Sequence, residues 1–166
     1  MWLIVTNALE LGLVLSVILF AMLLLTLRIN PEIMLNDYPP DVREKWGPMR
    51  AHTKRQRVLV AALFLVVGLS FVVWSLQSFR VLATPTVTFE AAFVHFAVML
   101  GTFNVLDLVV LDWSLVYWQP RFAILPGTEG MAGYLSYWFH FRGFLIGIPI
   151  VVSGSALLAA IASILG

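Results

Sequence analysis

Four long apolar runs, separated by polar segments rich in proline and glycine, set the pattern of this chain. They cover about residues 3–27, 58–76, 89–112 and 141–165. Each is long enough for a helix to cross the roughly 30 Å hydrocarbon core of a bilayer. The pattern predicts an all-α integral membrane protein, a four-span transmembrane helix bundle built as a single domain over residues 1–166. Composition agrees: apolar residues are 61% of the chain and charged residues 11%, against roughly half and a quarter in soluble domains. Once four spans of roughly 20 residues are set aside, no room is left for a separate soluble domain. The first run has no basic residue ahead of it, so it reads as a retained anchor and not as a cleaved signal.

The cations give the bundle a direction, because Lys and Arg near span ends are kept on the cytoplasmic side. Of the ten Lys and Arg, nine fall in or beside the two long connections. Arg28, Arg43, Lys45, Arg50, Lys54, Arg55 and Arg57 belong to the first, and Arg121 and Arg142 to the second. Only Arg80 lies between spans two and three. Both long loops are therefore expected in the cytoplasm and both termini outside, in a multi-pass cell-membrane protein. The net charge of +1 gives no argument for nucleic acid. Membrane lipids, a homo-oligomer or a larger membrane complex are the partners to expect.

Pro31, Pro39, Pro40 and Pro48 prevent the first loop from forming one continuous helix. Asp41 to Trp46 can form a short interfacial turn, with Asp41 as its cap and Trp46 seated at headgroup level. The second loop carries a proline–glycine turn, Pro126-Gly127-Thr128-Glu129-Gly130, among aromatic residues that favour the interface. Glu129 reads either as an exposed turn residue or as a lid over a cytoplasmic cavity.

Function should be sought in the third stretch, Phe89 to Trp118, because ionisable groups inside a bilayer are costly and mark sites or partners. At about 1.5 Å per residue, His95 lies roughly 10 Å inward from Phe89, and Asn104, Asp107 and Asp112 about 20, 25 and 33 Å inward. Two polar clusters follow. Glu10, Glu90 and His95 form a candidate outer site, with either carboxylate as the histidine's partner. Asn104, Asp107, Asp112, His140 and Arg142 form a candidate inner site, with an Asp107–Arg142 or Asp112–Arg142 ion pair joining spans three and four. At about 100° per residue, Glu90, Asn104 and Asp112 share one stripe of the helix, Asp107 sits at its margin, and His95 lies on another.

No cofactor and no metal site are expected. The chain has no cysteine, which removes disulfide and thiolate chemistry. His95 and His140 differ by roughly 20 Å in depth on the same helix rise, too far to share one haem within a subunit. No zinc-protease, P-loop, nucleophile-elbow or dinucleotide fingerprint is present. In span four, Gly143 and Gly147 form a G-x-x-x-G that suits close helix packing.

The segments Asn104-Val105-Leu106-Asp107, Leu111-Asp112-Trp113, Pro126-Gly127-Thr128-Glu129-Gly130 and Phe139-His140-Phe141-Arg142-Gly143 resemble a bacterial family of small uncharacterised polytopic membrane proteins. That resemblance implies a membrane location and carries no activity and no site residue with it. From the residues themselves, a binding or transport-type protein, or an accessory one, with a buried carboxylate and histidine centre is expected. An enzyme acting on a lipid or isoprenoid, with Asp107 or Asp112 as base, is the alternative. A structural subunit of a membrane complex is a further one.

Overall fold

The computed structural model describes residues 1–83 and 87–165. Among them, α1 (Trp2–Ile29), α3 (Ala51–Leu82) and α6 (Tyr137–Leu165) are continuous helices long and apolar enough to span a membrane. The third span is a composite of α4 (Phe89–Leu106), a π-helical turn (Asp107–Asp112) and α5 (Trp113–Trp118). A short helix, α2 (Pro40–Trp46), and three 3-10 turns at Pro31–Asp37, Arg121–Ala123 and Ala132–Leu135 complete the chain. The four-helix, all-α architecture is the one the hydropathy pattern predicts.

The boundaries differ where hydropathy is blind to helix propensity. The second span was expected to start after Lys54-Arg55-Gln56-Arg57, yet α3 begins at Ala51 and takes the basic string into its first two turns. Its 32 residues measure about 48 Å at the α-helical rise, more than the hydrocarbon core needs, so its charged first turns extend past that core. The fourth span likewise begins four residues earlier than expected, at Tyr137.

Local chemistry sets each end. At Asn30 the chain leaves α1 in an extended conformation, and the Asn30 side chain accepts the Glu32 N–H, starting the first 3-10 turn. Thr88 caps α4 by accepting the Ala91 N–H. Asp41 does not cap α2 as expected; Pro39 occupies that position, and the Asp41 carboxylate instead accepts the Gly133 N–H of the second loop at 2.9 Å. Capping of α3 comes from a distance. Glu32, 2% exposed, accepts the N–H of Arg50 at 2.7 Å and the hydroxyl of Thr53 at 2.8 Å. This carboxylate serves one orphan backbone donor of the α3 N-terminus, as the acidic residue of a capping box does within one helix, and a side-chain hydroxyl of its first turn.

In the bundle α4 is central, with α1 on one side and α6 on the other, and α3 lies along α1. Ile4, Ala8, Leu11 and Leu15 of α1 pack with Ala92, Phe96 and Met99 of α4, Phe71 and Phe79 of α3, and Ala159 and Ala162 of α6. In lipid there is no hydrophobic drive between helices, so close fit and hydrogen bonds hold them. Gly12 shows how close the fit is: a Cβ there would stand 2.8 Å from the Met99 carbonyl oxygen and 2.7 Å from Thr102 Cβ. The apolar side chains left outside, such as Leu59, Leu63, Val66 and Val73 of α3, suit an acyl-chain environment.

At the end away from the termini, the two long loops fold together into a cap. Tyr38 donates to the Ala123 carbonyl at 2.8 Å and packs edge to face on Tyr134. Leu27, Leu35, Val42 and Leu125 fill the space between the loops. Tyr134 in turn ties the proline–glycine turn, its hydroxyl accepting the Leu125 N–H and bonding the Thr128 hydroxyl.

Candidate functional site beneath the loop cap

Beneath this cap lies a cavity of about 690 Å³, within the ~300–1,000 Å³ range of small-molecule sites. Its apolar lining comes from Leu23 and Leu27 of α1, Met34, Leu115 and Val116, and Phe139 and Ile146 of α6. Its charged lining comes from Asp37 and Arg43 of the first loop, Asp107 and Asp112 of the π turn, and His140 and Arg142 of α6. Four of the five expected inner residues therefore line one cavity.

Asn104, the fifth, serves packing. Its amide donates to the Phe144 carbonyl at 3.3 Å, and its carboxamide oxygen occupies the space a Cβ on Gly147 would take. The G-x-x-x-G motif thus works inside the monomer at Gly147, while Gly143 borders the cavity with nothing within 4 Å of its would-be Cβ.

The π turn explains why both aspartates line the cavity. On a uniform α-helix, residues five apart diverge by about 140°. A π turn closes from i to i+5, as the Trp113 N–H does to the Leu108 carbonyl, and so brings residues five apart toward one side. Asp107 and Asp112 bracket this turn.

The expected ion pair with Arg142 is not formed among the described residues. Asp112 Oδ1 instead meets His140 Nδ1 at 3.1 Å. Residues two apart on α6 point about 200° away from each other, so with His140 turned to the π turn Arg142 is not. Arg142 is exposed and borders the cavity from its flank. Asp107 lies within electrostatic reach of Asp112 and His140, but at ion-pair distance of no cation among the described residues.

Two cavity residues beyond the expected set are Asp37 and Arg43. Partial loss of water pushes the Asp37 carboxyl above its ordinary value; Arg57 and Arg43 oppose the shift and Asp112 adds to it. Arg57 Nη2 stands 3.9 Å from Asp37 Oδ2. Tyr38 is raised by burial, with Tyr134 and Asp37 adding, which keeps it a hydroxyl donor. Arg43 was legible only as one of the first loop's cations, and Asp37 only by its place before Pro39 and Pro40.

The expected outer site does not assemble. His95 is fully buried, and its partner is neither Glu10 nor Glu90, which are both exposed. His95 Nε2 lies 2.7 Å from Ser75 Oγ of α3, with Phe79 and Phe96 against the ring. Its Nδ1 makes no hydrogen bond of acceptable geometry, although the Ile4 backbone lies close enough to act on it. This is a packing histidine that joins α3 to α4. Glu129 is exposed at its turn, accepting the Gly127 N–H, and does not border the cavity. No group of three or more His, Asp or Glu among the described residues is arranged to hold a metal ion.

Comparisons with protein-family models, with curated proteins and with solved structures find no match.

Proposed function

We propose that the chain is a binding protein for a membrane amphiphile, held with its polar head among the charged side chains of the cavity and its apolar part against Leu23, Leu27 and Ile146. The observation that carries this reading is the cavity itself, about 690 Å³ and lined by both apolar and charged side chains. It is built from the inner ends of α1 and α6 and the cap over them. A water-soluble ligand makes little use of the apolar lining, and a purely apolar one would desolvate the charges without replacing their water.

Gly143→Phe tests the reading because Gly143 borders the cavity and no atom lies within 4 Å of a Cβ built there. In protein extracted with mild detergent and weighed intact by native mass spectrometry, the variant should carry at least about tenfold less bound lipid than wild type, the equivalent of ~1.4 kcal/mol. Equal lipid on a variant that melts at the same temperature would overturn the proposal.

In the same reading the cap faces the cytoplasm, supported by the cations of α2 and the first turns of α3. The chain has no native cysteine to interfere with labelling. A single cysteine at Glu129 should be protected in intact cells from a membrane-impermeant maleimide, and one at Leu82 modified. The opposite result would invert the orientation.

A further inference from the structure

We infer that the cavity opens sideways into the bilayer between α1 and α6, so that its ligand is a lipid of the leaflet beside the loops, bound by its head while its chains stay in the membrane. This rests on the amphiphile-binding reading and adds the ligand's source and its way in.

The cavity is closed on three sides. The π turn stands behind it, joined to α6 through the Asp112 and His140 pair. The cap roofs it, held by the Tyr38 bond to the Ala123 carbonyl and the Asp41 bond to the Gly133 N–H, with Leu35, Val42 and Leu125 packed between the loops. Deeper in the membrane, Asn104 closes α4 on α6 at Phe144 and Gly147.

The side between α1 and α6 is not closed. Both helices pack on α4 and make little direct contact with each other. Leu23 on the α1 side and Ile146 on the α6 side both line the cavity. Ile146 is also 61% exposed, and Gly143, about one turn nearer the loops, is exposed with nothing within 4 Å of a Cβ built there. Residues that border a cavity and the outside at once mark its mouth.

Depth decides what this mouth faces. The Asn104 contacts place Ile146 about level with Asn104. That level is roughly 20 Å from the outer end of the third span, inside the ~30 Å hydrocarbon core. The mouth therefore meets acyl chains. At about 690 Å³ the cavity has the size of a drug-like ligand site, too small for a whole two-chain phospholipid. A head and the start of a chain fit inside, and the remainder passes out beside Ile146.

A ligand arriving from water has a harder path. It must break the Tyr38 and Asp41 hydrogen bonds and part the packed loops, whereas a lipid sliding in from the side breaks neither bond.

Lipid exchange tests the route. Full-length protein is purified in mild detergent with phosphatidylethanolamine and phosphatidylglycerol bound, then mixed with micelles carrying the same two lipids with deuterated chains. Native mass spectrometry follows the replacement of light lipid by heavy. Ile146→Trp narrows the mouth and should slow replacement at least about threefold, since hindered access acts on release. Ile150→Trp, on a residue similarly exposed but outside the cavity, should exchange at the wild-type rate. Asp41→Cys with Gly133→Cys, oxidised to lock the cap in a chain with no other cysteine, should also exchange at the wild-type rate. Matching thermal midpoints would show the variants folded, and loss of maleimide labelling would show the lock closed. Unchanged exchange in Ile146→Trp, or exchange stopped by the locked cap, would overturn the sideways route and leave amphiphile binding standing. Retention of no lipid by wild type would remove the amphiphile reading beneath it.

Discussion

Gly12→Leu should cost the bundle its α1–α4 contact and lower the thermal midpoint in detergent further than any other single change considered. The reason is what the added Cβ would meet: the Met99 carbonyl oxygen at 2.8 Å and Thr102 Cβ at 2.7 Å. One of these is backbone, so no side-chain rotation relieves the clash and the two helices must separate. Overpacking a well-filled core costs about 1–3 kcal/mol, and a backbone clash belongs at or above the top of that range. Separation also opens the packing of Ala8, Leu11 and Leu15 on Ala92, Phe96 and Met99. Gly154→Ala is the matched control. Nothing lies within 4 Å of a Cβ there, so the helix-propensity gain of about 1 kcal/mol should raise the midpoint slightly. Circular dichroism melts of the two variants should move in opposite directions. A melt of Gly12→Leu unchanged from wild type would contradict the close approach of α1 and α4.

Glu32→Ala should be the second largest loss. Glu32 is 2% exposed and accepts from the Arg50 N–H and the Thr53 hydroxyl, with Arg50 Nε 3.8 Å from Oε2. Hydrogen bonds to a charged group contribute about 1.5–3 kcal/mol each and an N-cap about 1. A total loss of roughly 2–4 kcal/mol is expected, since the two bonds share one carboxylate. Burial pushes the Glu32 pKa up, but the Arg50 N–H, the Thr53 hydroxyl, the Trp46 indole and the Arg50 charge together hold it below its ordinary value of 4.5. A carboxylate so lowered stabilises the fold fully above pH 4.5 and loses that contribution as pH falls through the folded value. The difference in midpoint between wild type and Glu32→Gln should therefore be large at neutral pH and shrink under acid. A constant difference across that range would show that the charge of Glu32 contributes nothing.

Hydropathy makes the four spans legible because an apolar run in lipid has few folded alternatives to a helix. It also singles out the cavity lining in part: Asp107, Asp112, His140 and Arg142 stand out as charged groups near span ends. Their partners were not legible. A uniform helical repeat sets Asp107 apart from Asp112, and only the i to i+5 closure at Leu108 and Trp113 brings them to one cavity. Arg142 attracts attention by its permanent charge, yet His140, two residues earlier, has the side of α6 that meets Asp112. His95 misled in the opposite sense. A histidine in an apolar run suggests acid–base work, while Ser75, in a span with no charged residue between Val58 and Leu76, supplies its hydrogen bond. Glu32 gave no signal at all, because its role is to cap a helix that begins 19 positions later in the chain.

The union of the two loops imposes an order on biosynthesis. Tyr38 donates its hydrogen bond to a carbonyl 85 residues downstream, and Asp41 accepts one from an amide 92 residues downstream. While the ribosome is still making the middle of the protein, the first loop has no counterpart to close on. It waits, open and basic, until the third span has been threaded and the chain has passed Gly133. Truncation anywhere before that point removes α6 as well as the second loop, so neither the cap nor the cavity beneath it is built.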